Sequence, residues 1–153
     1  MSGFPSGYFY IKSRKYGNCV LDVCENSKKP GARVILWKQK LGDEAHNQLW
    51  KHDNGFLINK NSGLVLDIAG GKLKPVAGLC QYTRKTVKDA HNQRFMFDRG
   101  FLLPLHDKSN LVVDIRGDTD KDGTEIILYE KKPFDNLNQM FLLEPEHEEF
   151  HHP

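Results

Sequence analysis

Three aspartates stand inside apolar runs of the chain, in Val20-Leu21-Asp22-Val23, Val65-Leu66-Asp67-Ile68 and Val112-Val113-Asp114-Ile115. An aromatic follows each at the same interval, Trp37 after Asp22, Tyr82 after Asp67 and Tyr129 after Asp114. An Asn-Gln pair comes next each time, as Asn47-Gln48, Asn92-Gln93 and Asn138-Gln139. These side chains do complementary things. An ionised carboxylate accepts two hydroxyl protons at once in charge-assisted hydrogen bonds. A flat aromatic face covers an apolar C–H patch, and an asparagine amide adds a donor and an acceptor. A sugar has adjacent hydroxyls on one face and C–H groups on the other, so three such groups converging from different strands could hold one. The same carboxylates could instead hydrogen-bond the protein's own loops, because an ionisable group in an apolar run is costly unless it is satisfied. Recurrence fits threefold structure as well as threefold binding.

The elements that would position these groups are themselves repeated. The first two copies match at a fixed offset of 45, which pairs Pro30 with Pro75, Ala32 with Ala77, Lys40 with Lys85, Ala45 with Ala90 and His46 with His91. The third copy is offset from the second by 47 at its aspartate and by 46 at its Asn-Gln. Self-similarity of this kind marks a repeat architecture. In the first repeat, aromatic and β-branched residues predict strands over Tyr8–Ser13, Cys19–Val23, Arg33–Gln39 and Gln48–His52, with turn residues between them. The second begins again at Asn54-Gly55 and the third at Arg99-Gly100. About twelve strands and no helix follow, an all-β chain. One unit of this size cannot bury its own apolar face, but three can close about a common axis and remove exposed sheet edges. That arrangement is a β-trefoil of three pseudo-symmetric four-stranded repeats, a six-stranded barrel closed at one end by three hairpins. The expected boundaries are a Gly-, Ser- and Pro-rich tail over 1–7, a domain over 8–145 with repeats at about 8–53, 54–98 and 99–145, and a flexible charged tail over 146–153.

Bulk properties exclude several other functions. A formal charge of +2, with lysines and arginines scattered singly or in pairs, argues against nucleic acid. No run approaches the roughly 18 apolar residues of a membrane span, so no membrane insertion is expected. Three cysteines, Cys19, Cys24 and Cys80, make an odd count with no paired spacing and suit free thiols in a reducing compartment. With no secretory signal visible, a cytoplasmic protein is the default; export by an unconventional route leaves no mark to read. No nucleophile with a partnered base and no metal set is visible, so neither catalysis nor a cofactor is expected. His46 and His91 read as loop residues, and His147, His151 and His152 as part of the tail. The stretch Asp118-Thr119-Asp120-Lys121-Asp122-Gly123 imitates the start of a calcium loop, but the twelfth position is Tyr129 and the flanks are strands. A turn rich in Asp and Gly is the simpler account. Arg116-Gly117-Asp118 spells an integrin-binding tripeptide, too short a match to carry weight.

The phrase that closes each unit, Asn47-Gln48-Leu49-Trp50, Asn92-Gln93-Arg94-Phe95 and Asn138-Gln139-Met140-Phe141, resembles the Gln-x-Trp signature of the ricin B-chain type lectins. The resemblance covers residues 8 to 144, with an upstream aspartate and an intervening aromatic in register each time. It implies that Trp50, Phe95 and Phe141 pack in the core while the glutamines hydrogen-bond around each repeat. It also implies a non-catalytic lectin for galactose or N-acetylgalactosamine glycans, with up to three sites. The implied sugar-binding sets are Asp22, Trp37, Asn47 and Gln48; Asp67, Tyr82, Asn92 and Gln93; and Asp114, Tyr129, Asn138 and Gln139. Repeat 1 is the foremost of the three, because Trp37 offers the largest stacking face. The chain departs from the family at Ile35, Cys80 and Ile127, where many members carry a polar residue, and it cannot form a disulfide in each repeat. Two other functions remain open: an intracellular protein-interaction scaffold without sugar binding, and binding of acidic polysaccharide through surface lysines, which would depend steeply on salt. A homodimer is compatible with a lectin, but nothing in the sequence requires one.

Overall fold

A computed structural model describes residues 3–88, 90–105 and 107–146. Its twelve strands are β1 (Tyr8–Ser13), β2 (Cys19–Val23), β3 (Val34–Lys38), β4 (Trp50–Asp53), β5 (Phe56–Asn59), β6 (Val65–Ile68), β7 (Leu79–Tyr82), β8 (Phe95–Asp98), β9 (Phe101–Pro104), β10 (Leu111–Ile115), β11 (Ile126–Glu130) and β12 (Phe141–Pro145). They make a β-trefoil. The first and fourth strands of each repeat form the barrel, through ladders β1–β4, β4–β5, β8–β9 and β1–β12. Single backbone bonds, Phe95 N to Gly55 O and Phe141 N to Gly100 O, each 2.8 Å, link the remaining neighbours.

Short turns set the register. Asn54-Gly55 and Arg99-Gly100 each join two barrel strands by a two-residue loop with both residues at positive φ (50° and 89°, 50° and 93°). That geometry matches the strands' right-handed twist and suits glycine at the second position.

The second and third strands of each repeat pair as hairpins β2–β3, β6–β7 and β10–β11. These three hairpins meet through isolated bridges Arg33–Cys80, Ile35–Glu125 and Gly78–Ile127. Trp50, Phe95 and Phe141 are fully buried in one apolar cluster with Phe9, Ile11, Leu57 and Leu102, as the closing phrase of each repeat implies.

Three local features differ from the sequence expectation. Gln48 is not in a strand; it ends a 3-10 helical turn over Gly42–Gln48, and a shorter one covers Leu137–Gln139. The third repeat is one residue shorter between its aromatic and its Asn-Gln, and this loop absorbs the difference. Residues 3–7 are not a bare tail, because the Phe4 ring stacks on His52 at 4.4 Å and on Phe9 at 5.9 Å between centroids. The expected C-terminal tail lies outside the described residues except for Glu146, whose N–H donates to Tyr8 O and whose carboxylate pairs with Lys60.

Candidate functional site

Each cap hairpin places its aspartate and its aromatic on neighbouring strands. Asp22 pairs with Ile35 in the β2–β3 ladder, and Trp37 lies two residues further along β3. The ladders β6–β7 and β10–β11 repeat this with Asp67 opposite Cys80 and Asp114 opposite Ile127. The 3-10 turn or loop ahead of the fourth strand then brings in the Asn-Gln. The result is three clefts, lined respectively by Asp22, Trp37 and Asn47, by Asp67, Tyr82 and Asn92, and by Asp114, Tyr129 and Asn138.

Burial separates the roles. Asp22, Asp67 and Asp114 are buried, whereas Trp37, Tyr82 and Tyr129 expose 39 %, 48 % and 43 % of their surface. Trp37 is therefore a surface aromatic and no part of the core. Burial pushes all three carboxyls above the ordinary 3.8, and hydrogen bonds from Gln48, Gln93 and Gln139 oppose that rise.

The glutamines require a correction as sugar contacts. Gln48 Nε2 donates to Asp22 Oδ2 and to Lys38 O, both at 2.9 Å, while Oε1 accepts from Lys40 N at 2.8 Å. Gln93 binds Asp67 Oδ2, Thr83 O and Lys85 N in the same way, and Gln139 binds Asp114 Oδ2, Glu130 O and Lys132 N. Fully buried and with both amide hydrogens in use, they cannot reach a ligand. They orient the carboxylates and leave Oδ1 as the oxygen that can face the cleft.

Sequence reasoning left Lys40, Lys85 and Lys132, three residues beyond each aromatic, out of the candidate sites, although it matched Lys40 with Lys85. All three line the clefts. Their common interval was the available signal. Lys85 Nζ donates to Asn92 Oδ1 and Lys132 Nζ to Asn138 Oδ1, each at 2.7 Å. The first repeat differs. Asn47 Nδ2 donates to Val23 O at 2.9 Å, but its buried Oδ1 has no hydrogen-bond partner among the described residues. In the second cleft the Cys80 thiol, pushed up to about 12 by burial and by Asp67, lies 3.5 Å from Asp67 Oδ1. The three sites thus share a plan and differ in what is already occupied.

The calcium-like stretch is tied up in protein contacts. Asp118 pairs with Lys15 at 2.7 Å, which holds its carboxyl below the usual range, and Asp122 Oδ1 accepts from Lys38 N at 3.2 Å. Asp118 also ends the Arg-Gly-Asp tripeptide, whose Arg116 pairs with Glu125 at 2.8 Å. Among the described residues no group of three or more His, Cys, Asp or Glu could hold a metal ion. His91 Nε2 lies 3.1 Å from Gly71 O in the loop beside the second cleft.

The chain matches the model of the ricin-type beta-trefoil lectin domain over residues 7–141. A curated relative, Mucoricin from Rhizopus delemar, is 44 % identical over 54 residues, 35 % of each chain. The match thus spans about a third of that relative's length. Among solved structures, the mdaA-1 domain is 31 % identical at a TM-score of 0.81, covering 93 % of this chain and 91 % of its own. The C-half of the earthworm R-type lectin in complex with GalNAc is 26 % identical at a TM-score of 0.78, covering 93 % and 100 %. The designed threefold-symmetric protein ThreeFoil is 25 % identical at 0.75, covering 91 % and 99 %.

Proposed function

The chain belongs to the ricin-type beta-trefoil lectin family, and from that premise we propose that it is a non-catalytic lectin for glycans ending in galactose or N-acetylgalactosamine, with the first repeat as its main site. The GalNAc complex of the earthworm neighbour supports this ligand class. The observation that carries the assignment to repeat 1 is the exposed face of Trp37, the largest aromatic of the three clefts, beside Asp22 and Asn47. Asp22 Oδ1 accepts a sugar hydroxyl, and the Trp37 face covers the C–H side of the ring. In repeats 2 and 3 the smaller Tyr82 and Tyr129 stand in place of the tryptophan and a lysine already bonds the asparagine of the cleft, so weaker binding is expected there. Several weak sites on one domain raise avidity on clustered glycans without any new contact.

Fluorescence tests the assignment, because the chain has two tryptophans and only Trp37 is exposed. Millimolar galactose or N-acetylgalactosamine should shield Trp37 from acrylamide quenching, and Trp37→Phe should remove the response. Unchanged quenching across the titration would count against repeat 1 as the site.

The raised carboxyls also predict a pH dependence. Binding uses the ionised form, so it is full above the raised folded-state value and fades as pH falls through it, starting higher than for an exposed aspartate at 3.8. Stability moves the other way. A folded-state value above the unfolded one means that the folded protein holds more protons in this window, so these groups cost stability as pH rises through it. Titrations between about pH 4 and pH 7 should show affinity falling on acidification while the contribution of these carboxyls to the melting temperature rises. Affinity that is constant over that window would contradict Asp22 as the acceptor.

A further inference from the structure

Leu36, Gln81 and Leu128 occupy the same place in the three cap hairpins, opposite Leu66 for Gln81 and opposite Leu21 and Val113 for the two leucines. All three are buried. Their backbones behave alike: Leu36 bonds Thr124 and Gly123, Leu128 bonds Ala77 and Val76, and Gln81 bonds Ala32 and Gly31, at 2.7–2.9 Å. Only Gln81 adds side-chain bonds across the repeat boundary. Its Nε2 donates to Ser27 O at 2.9 Å and to Lys29 O at 3.0 Å, while Oε1 accepts from Ser62 Oγ at 2.7 Å. Beside it, Asn61 Nδ2 donates to Asn26 O at 3.0 Å.

The segment so fastened is one wall of the first cleft, where Cys24, Glu25 and Asn26 line the site with Asp22 and Trp37. Glu25 and Asn26 both take left-handed backbone, φ 57° and 56°. The second repeat uses Gly70 and Gly71 at these places, and the third uses Gly117 and Asp118. Residues with a Cβ hold that conformation at a cost, so it persists where surrounding structure enforces it. Here the enforcing contacts come from another repeat.

We propose that Gln81 is a positioning residue for the first ligand site, fastening its wall so that the affinity of repeat 1 depends on repeat 2. The inference rests on the reading that the first cleft binds a glycan. Gln81→Leu restores the leucine of the other two repeats and retains the backbone bonds, while Ser27 O, Lys29 O and Ser62 Oγ lose their side-chain partner. The wall then samples other conformations, and ordering it on binding weakens the first site about tenfold.

The test compares wild type and Gln81→Leu by hydrogen exchange and by Trp37 titration with N-acetylgalactosamine. Expected are an unchanged melting temperature, faster exchange confined to residues 24–31, and an affinity at the first site lower by about tenfold. In an Asp22→Asn background the residual binding should not respond to Gln81→Leu. Unchanged exchange and affinity in a folded variant would overturn the proposal. Were Gln81→Leu to unfold, Asn61→Ala decides, since it loosens the same wall from the surface: a severalfold weaker first site supports the fastening, and no change overturns it. If wild type shows no Trp37 response at all, the glycan assignment fails by itself, and the exchange data still judge the fastening.

Discussion

Asp22→Asn is expected to weaken galactose and N-acetylgalactosamine binding at the first site by about 100-fold while leaving the fold intact. Asparagine matches aspartate in size and still accepts from Gln48 Nε2 through its carbonyl oxygen, which keeps the bonds of Gln48 to Lys38 and Lys40 in place. The other terminal atom then becomes an amide donor where Oδ1 stood. The site loses the charge-assisted bond from a sugar hydroxyl to Oδ1, worth about 1.5–3 kcal/mol, and about 2.7 kcal/mol corresponds to 100-fold. The same change removes a buried charge whose desolvation is the largest influence on its carboxyl, so the melting temperature should hold or rise. Calorimetric titration together with a thermal melt checks both halves. Equal affinity in a folded variant would reduce Asp22 to a loop-binding residue, the other role open to a carboxylate in an apolar run.

Trp50→Ala should be the most damaging single change to stability, at about 3–5 kcal/mol. Trp50 is fully buried in the main cluster and its Nε1 donates to Leu21 O at 3.5 Å. Truncation leaves a cavity among residues from all three repeats, since Phe95 and Phe141 belong to the same cluster. Leu21 precedes Asp22, so the loss reaches the first hairpin as well. Denaturant unfolding measures the change; a loss under about 1 kcal/mol would mean that the barrel collapses onto the space without strain.

The barrel and the cap were legible because their signals are local and tripled. Alternating apolar residues bounded by Asn-Gly, Arg-Gly and similar turns give strand and hairpin positions, and a fixed period gives the closure. The aspartate, aromatic and asparagine of each cleft were legible for the same reason, whereas the burial of Trp50, Phe95 and Phe141 was implied by the family resemblance. Other features depend on contacts that no short window contains. The 3-10 turn over Gly42–Gln48 uses few bonds and has no periodic face to announce it. That Gln48, Gln93 and Gln139 are saturated, and so position the carboxylates without touching a ligand, follows only once the Lys38, Thr83 and Glu130 carbonyls are placed. Phe4 lies in a stretch composed like a tail, and its ring finds His52 and Phe97 from distant strands. Gln81 looks like a polar residue on a strand; its burial and its hold on residues 27–29 belong to the pseudo-threefold axis.

A glycan-array screen of the purified protein, run with and without free galactose and repeated with Asp22, Asp67 and Asp114 all changed to asparagine, tests the central claim most directly. The account predicts binding to terminal galactose or N-acetylgalactosamine, displaced by the free sugar and lost in the folded triple variant. Silence across the array from folded protein, or binding that survives the triple change, would contradict it.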